Sequence, residues 1–139
     1  MNAPNKSVQS TPLLHSHPGF RQDERGNCPI REVLDLVGDT WSILVIINLQ
    51  AAPTRFNALK RAIEGISQRM LTVTLRSLER EGLVRRTVRP TTPPEVEYAL
   101  TDIGHSIAVP IAGLAGWAEQ NRDLLRAART AFDAAQKAS

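Results

Sequence analysis

A chain of 139 residues, 42% hydrophobic and 22% charged, is long enough for one globular domain that needs neither disulfides nor a structural metal. A single cysteine, Cys28, excludes an internal disulfide; with no apolar run longer than Ile43–Ile47 and no charged-then-apolar leader, a soluble cytoplasmic protein without a membrane partner is expected. The net charge of +3 is unevenly spread. Nine basic and three acidic residues between Arg55 and Arg89 give +6, while eight basic and eleven acidic residues elsewhere give −3, which points to a polyanion-binding surface in the middle segment.

Residues 1–27, rich in Pro, Ser, Asn and Gly, read as a flexible arm. Order is expected from Cys28–Pro29, with Ile30, Val33, Leu34 and Val37 at helical spacing and Gly38 as a stop. Asp39 or Thr40 then caps a helix over Trp41–Leu49, apolar almost all round and therefore central to the core. Ala52–Pro53 breaks the chain. Phe56, Leu59, Ala62 and Ile63 form the apolar side of a short helix closed by Gly65, and Ser67 caps the next, which runs from about Ser67 to Glu81 before Gly82. Two short helices around a tight Gly-containing turn make a helix-turn-helix unit.

Leu83–Arg89 and Val96–Thr101 read as strands flanking the stiff loop Pro90-Thr91-Thr92-Pro93-Pro94-Glu95. The fold class is therefore mainly α with a small β-hairpin wing, a winged helix-turn-helix. Three parts are expected: the arm at 1–27, a winged-helix DNA-binding domain at 28–104, and a C-terminal helix and tail at 105–139. That last helix is Ala-rich, with a bend expected near Pro110 and an end near Ala135.

On the helix after Ser67, Leu71, Leu75 and Leu78 form one inward stripe, broadened by Met70. Gln68, Arg69, Thr72, Val73, Arg76 and Arg80 face the other way. Arg can donate twice to guanine, Gln can pair with adenine, and Thr or Val can touch a thymine methyl. Such residues in the N-terminal half suit a helix inserted into the major groove of double-stranded DNA. Lys60 and Arg61 precede it, and Arg85, Arg86 and Arg89 follow on the wing. The wing arginines suit phosphates or the minor groove, Arg86 or Arg89 above all, although alternation leaves open which side each faces. Charge on an exposed strand also prevents sheet-to-sheet pairing. The candidate DNA-binding residues are thus Lys60, Arg61, Ser67, Gln68, Arg69, Thr72, Arg76, Arg86 and Arg89.

Two blander readings stand beside this one: a solvated amphipathic helix, and a winged-helix protein-interaction module with an acidic partner. A protein-contact face would favour large apolar anchors where Gln68, Arg69, Thr72 and Arg76 stand. There is no Gly-rich phosphate loop, nucleophile elbow or paired-carboxylate pattern, so neither an enzyme nor a cofactor is expected. His15 and His17 with Cys28 match no standard metal-ligand spacing, and His105 is isolated, so no metal is expected either.

The chain resembles the HxlR-type branch of the MarR-like winged-helix transcriptional regulators over about residues 28–120. The resemblance is carried by Cys28-Pro29-Ile30, Gly38-Asp39-Thr40-Trp41, Arg55-Phe56-Asn57-Ala58-Leu59, the run from Gly65 to Thr72, the run from Leu75 to Val84, and the run from Pro93 to Gly104. It implies an obligate homodimer joined through its first and last helices on a pseudo-palindromic operator, with half-sites about one helical turn, roughly 34 Å, apart. Repression is the commoner outcome among such proteins. Ile107, Ile111, Leu114, Trp117, Leu124 and Leu125 supply an apolar face for that dimer. In several regulators of this kind a cysteine just before the first helix senses oxidants, quinones or aldehydes, and Cys28 matches that position. The helix dipole and nearby Arg25 and Arg31 favour a nucleophilic thiolate there, implying a small electrophile or oxidant as effector. The plainer reading of Cys28 is a small, partly buried hydrophobe.

Overall fold

The computed structural model describes residues 18–138; His15, His17 and the rest of the expected arm up to residue 17 lie outside the described residues. In the remainder of that arm, Pro18–Phe20 make one 3-10 turn. The Asp23 carboxylate then accepts bonds from the backbone N–H groups of Asn27 and Arg25, both at 2.8 Å, and the Asn27 bond foremost holds this carboxyl below its ordinary range.

Helix α1 (Pro29–Val37) opens with Pro at its first turn, where a missing N–H costs nothing. Asp39 caps α2 (Thr40–Ala51), accepting from the Ser42 backbone N–H at 2.9 Å and from its hydroxyl at 2.7 Å. Helix α2 has no polar face to speak of: Val45, Ile46 and Leu49 are buried, and Trp41, Ile43, Leu44 and Ile47 pack against the core. It touches α1, the helices Phe56–Ala62, Gln68–Arg80 and Asp102–Ala138 and the strand Glu95–Leu100, which makes it the axis of the domain.

A short strand, β1 (Thr54–Arg55), follows the Pro53 break and precedes α3 (Phe56–Ala62). Helix α4 spans Gln68–Arg80, and the wing consists of β2 (Val84–Arg89) and β3 (Glu95–Leu100). The hairpin is in antiparallel register from Val84↔Leu100 to Arg89↔Glu95. Strand β1 lines the other edge of β3 through Thr54↔Tyr98 and Arg55↔Glu97, giving the order β1-β3-β2. The expected two-stranded wing is thus a three-stranded sheet. Two residues are too few to carry a period-two pattern, so β1 leaves no trace in the sequence.

Helix α5 (Asp102–Ala138) is 37 residues long and spans about 55 Å at 1.5 Å per residue. It starts at Asp102, ahead of the boundary expected at residue 105, because Thr101 caps it: the Gly104 N–H donates to Thr101 Oγ1 at 3.1 Å. The helix continues through Pro110, which gives the Ser106 carbonyl no N–H four residues on. Gly104, Ala108 and Ile111 are buried against the domain. Beyond them Leu114, Trp117, Leu124 and Phe132 are exposed, Leu124 to 70%.

The N-terminal end of α5 approaches the backbone so closely that no side chain fits. A Cβ on Gly104 would collide with the Leu83 carbonyl oxygen, whereas one on Gly113 would meet nothing within 4 Å. Gly104→Ala is therefore expected to destabilise the protein by about 1–3 kcal/mol or more through overpacking. Gly113→Ala, in open helix, is expected to stabilise it by about 0.5–1 kcal/mol. Urea unfolding at one fixed protein concentration checks both; equal stabilities for the two variants contradict the contact.

Candidate nucleic-acid interface

Helix α4 is held at both ends by its own sequence. Ser67 Oγ accepts from the Met70 N–H at 3.0 Å, so this candidate residue acts as the N-cap. Before it, Ile63 and Ile66 are buried on either side of Gly65, whose φ of +85° a side chain would strain. At the far end the Leu83 N–H donates to the Leu78 carbonyl and the Gly82 N–H to the Glu79 carbonyl, both at 3.0 Å. This is a Schellman closure, and Leu78 and Leu83 are both buried beneath it.

Leu71, Thr74, Leu75 and Leu78 face the core. At 100° per residue, the opposite ridge of α4 runs through Arg69, Val73, Arg76 and Arg80, with Gln68 and Thr72 along one flank. All six are exposed. The Thr72 hydroxyl donates back to the Gln68 carbonyl at 2.9 Å.

The structure resolves which way the wing arginines face. Val84, Arg86 and Val88 share one side of β2 with Leu100, Tyr98 and Val96 as partners, and Arg86 joins Thr72, Arg76, Glu79 and Tyr98 around a cleft of about 390 Å³. Arg85, Thr87 and Arg89 lie on the other side, where Arg89 bridges Glu97 at 3.2 Å. On that side Arg55 also bridges Glu95 at 2.9 Å, so the two ion pairs cross the sheet diagonally. Of the two favoured wing residues, then, Arg86 stands beside α4 and Arg89 stands among carboxylates.

Lys60 and Arg61 occupy the last turn of α3, where positive charge suits the helix dipole. Arg61 lines a separate cleft of about 420 Å³ with Arg55, Asn57, Pro94 and Glu95, between α3 and the wing tip. Phe56 ties the same helix to β3, its ring 6.4 Å from that of Tyr98. Cys28 is half-buried at the N-cap of α1, its Sγ donating to the Gly19 carbonyl of the 3-10 turn at 3.4 Å. Among the described residues no three or more His, Cys, Asp or Glu gather as metal ligands, and no helix is long and apolar enough to cross a membrane.

A family model described as HxlR-like helix-turn-helix matches residues 36–125, which contain α2 through most of α5. The chain belongs to the HxlR-like helix-turn-helix family. YtfH of Escherichia coli K12, an uncharacterized HTH-type transcriptional regulator, is 42% identical over 94 residues, 68% of this chain and 75% of that protein. A solved structure of YtfH from Salmonella typhimurium superposes with a TM-score of 0.69 at 38% identity, covering 75% of this HxlR-family chain and 93% of the other. The redox regulator HypR in its reduced form matches with a TM-score of 0.68 at 37% identity, covering 71% of this chain and 98% of the other.

The two faces of the wing separate Arg86 from Arg89 by experiment. Arg86→Ala is expected to reduce the magnitude of the slope of log affinity for DNA against log salt by about 1 per bound subunit, the loss of one phosphate contact from each. Arg89→Ala, removing an exposed ion pair rather than a phosphate contact, is expected to leave that slope within about 0.3 of its original value. DNA titrations at several salt concentrations measure both.

Proposed function

We propose that this HxlR-family chain is a homodimeric, sequence-specific DNA-binding regulator that represses from a pseudo-palindromic operator. The observation that carries the reading is the outward side of α4. Arg69, Arg76 and Arg80 stand on one ridge with Gln68 and Thr72 beside it, on a helix capped at both ends and backed by Arg86. These are the side chains that read base edges, on an element whose width suits the major groove. Lys60, Arg61 and Arg86 are assigned to the surrounding backbone contacts, with Arg86 the best placed, while Arg89 is left to its ion pair with Glu97. A purely protein-binding face would carry larger apolar groups at these positions.

The dimer reading rests on the distal part of α5. Leu114, Trp117, Leu124, Leu125 and Phe132 are exposed there, and Val33 and Leu34 are exposed on α1. A large apolar stripe of this kind marks an interaction surface. A two-fold partner contributing the same two helices covers it and sets the reading helices about 34 Å apart.

Mobility shift on DNA selected from a random duplex pool tests the function. Specific retention is expected, and Arg69→Ala is expected to weaken it by about 1–3 kcal/mol while relaxing one base preference. Equal binding to scrambled DNA that vanishes at moderate salt would falsify the sequence-specific reading.

Cys28 is assigned as the point at which oxidants or electrophiles release the DNA. Its support is the position at the α1 N-cap, together with the redox regulator HypR, whose reduced and oxidized forms are each 37% identical to this chain. With one Cys per chain, a disulfide joins two subunits or a subunit and a small thiol. Diamide is expected to release operator from the wild type and not from Cys28→Ser; equal release from both, or from neither, removes Cys28 from this role.

A further inference from the structure

The ridge of α4 that points furthest from the core is not uniformly polar. Val73 stands in the middle of it, four residues after Arg69 and three before Arg76, and is 55% exposed. On the flank beside it, the Thr72 hydroxyl is bonded inside the helix to the Gln68 carbonyl, leaving the methyl as the group free for an outside contact. Val73 carries no donor or acceptor, so it makes no hydrogen bond to phosphate or to the polar edge of a base. In the major groove an apolar side chain has one matching feature, the C5-methyl group of thymine.

We propose that Val73 reads the C5-methyl of one thymine in each half-site, so that this thymine fixes specificity alongside the bases read by the flanking arginines. The proposal rests on the assignment of α4 as the base-reading helix. The flanking arginines carry long side chains whose donors suit the polar atoms of base edges, while the shorter, apolar valine between them suits a methyl group that projects into the groove. Thymine projects a methyl there and cytosine does not.

The test changes one methyl group on the DNA. A duplex enriched by the full-length protein from a random pool is remade with each thymine in turn replaced by deoxyuridine, symmetrically in both half-sites. Deoxyuridine keeps every hydrogen-bonding atom of thymine. For the wild type, one position is expected to weaken binding about fourfold per half-site and about sixteenfold in the symmetric duplex, the size of one buried methyl-sized contact. Val73→Ala, at an exposed position that leaves the core untouched, is expected to bind the thymine duplex more weakly and to lose most of the thymine-over-uracil preference. An enriched sequence whose thymines all tolerate uracil, or a Val73→Ala protein that keeps the full preference, overturns methyl readout while leaving sequence-specific binding in place. No enriched sequence at all overturns both.

Discussion

Three elements meet at the peptide between Gly82 and Leu83, and the geometry of the rest follows from that junction. The Gly82 and Leu83 N–H groups close the end of α4. The Gly82 carbonyl accepts from Thr101 Oγ1 at 2.6 Å, and the Leu83 carbonyl accepts from the Thr101 N–H at 3.0 Å. Thr101 is at once the end of the wing and the cap of α5, whose Gly104 lies against the same Leu83 carbonyl. Each polar backbone group at this crowded point has a partner, as buried groups require. Helix α4, the wing and the long terminal helix are therefore joined at one junction by backbone groups and the Thr101 hydroxyl.

The wing shows how strand alternation divides a basic cluster by role. Arg85, Arg86 and Arg89 look equivalent in the sequence, yet period two puts Arg86 on the side of α4 and Arg89 on the opposite side with Glu95 and Glu97. Exposed ion pairs such as Arg89–Glu97 contribute little to stability. They do reduce the positive potential of one face of the sheet, so the strongly basic middle segment is more lopsided in space than in sequence. The Arg86 charge, by contrast, lies on the side shared with α4.

Most of the fold was legible because its signals are local. Caps at Asp39 and Ser67, the stop at Gly82 and the leucine stripe of α4 each act within a few residues, and each element formed where those signals place it. Strand β1 was not legible, since Thr54 and Arg55 become a strand only by pairing with residues more than forty positions away. The start of α5 at Asp102 is blurred for a related reason: strand alternation runs on to Thr101, which is also the cap of the helix. In the interface, the identity of the outward side chains was plain from helical spacing. Which wing arginine joins them depends on register, and register depends on the turn and on the buried partners Tyr98 and Leu100.

The two-residue strand has a topological effect out of proportion to its size. By pairing Thr54 with Tyr98, β1 ties a knot-free loop that contains α3, α4 and β2. The segment that holds both helices of the turn motif is thus anchored to β3 at its first residue as well as its last, which limits how far it can open. Local opening, which usually begins at the ends of a motif, is thereby coupled to opening of the core. The distal turns of α5 lie outside this closed loop, and their amides depend on whatever packs against them.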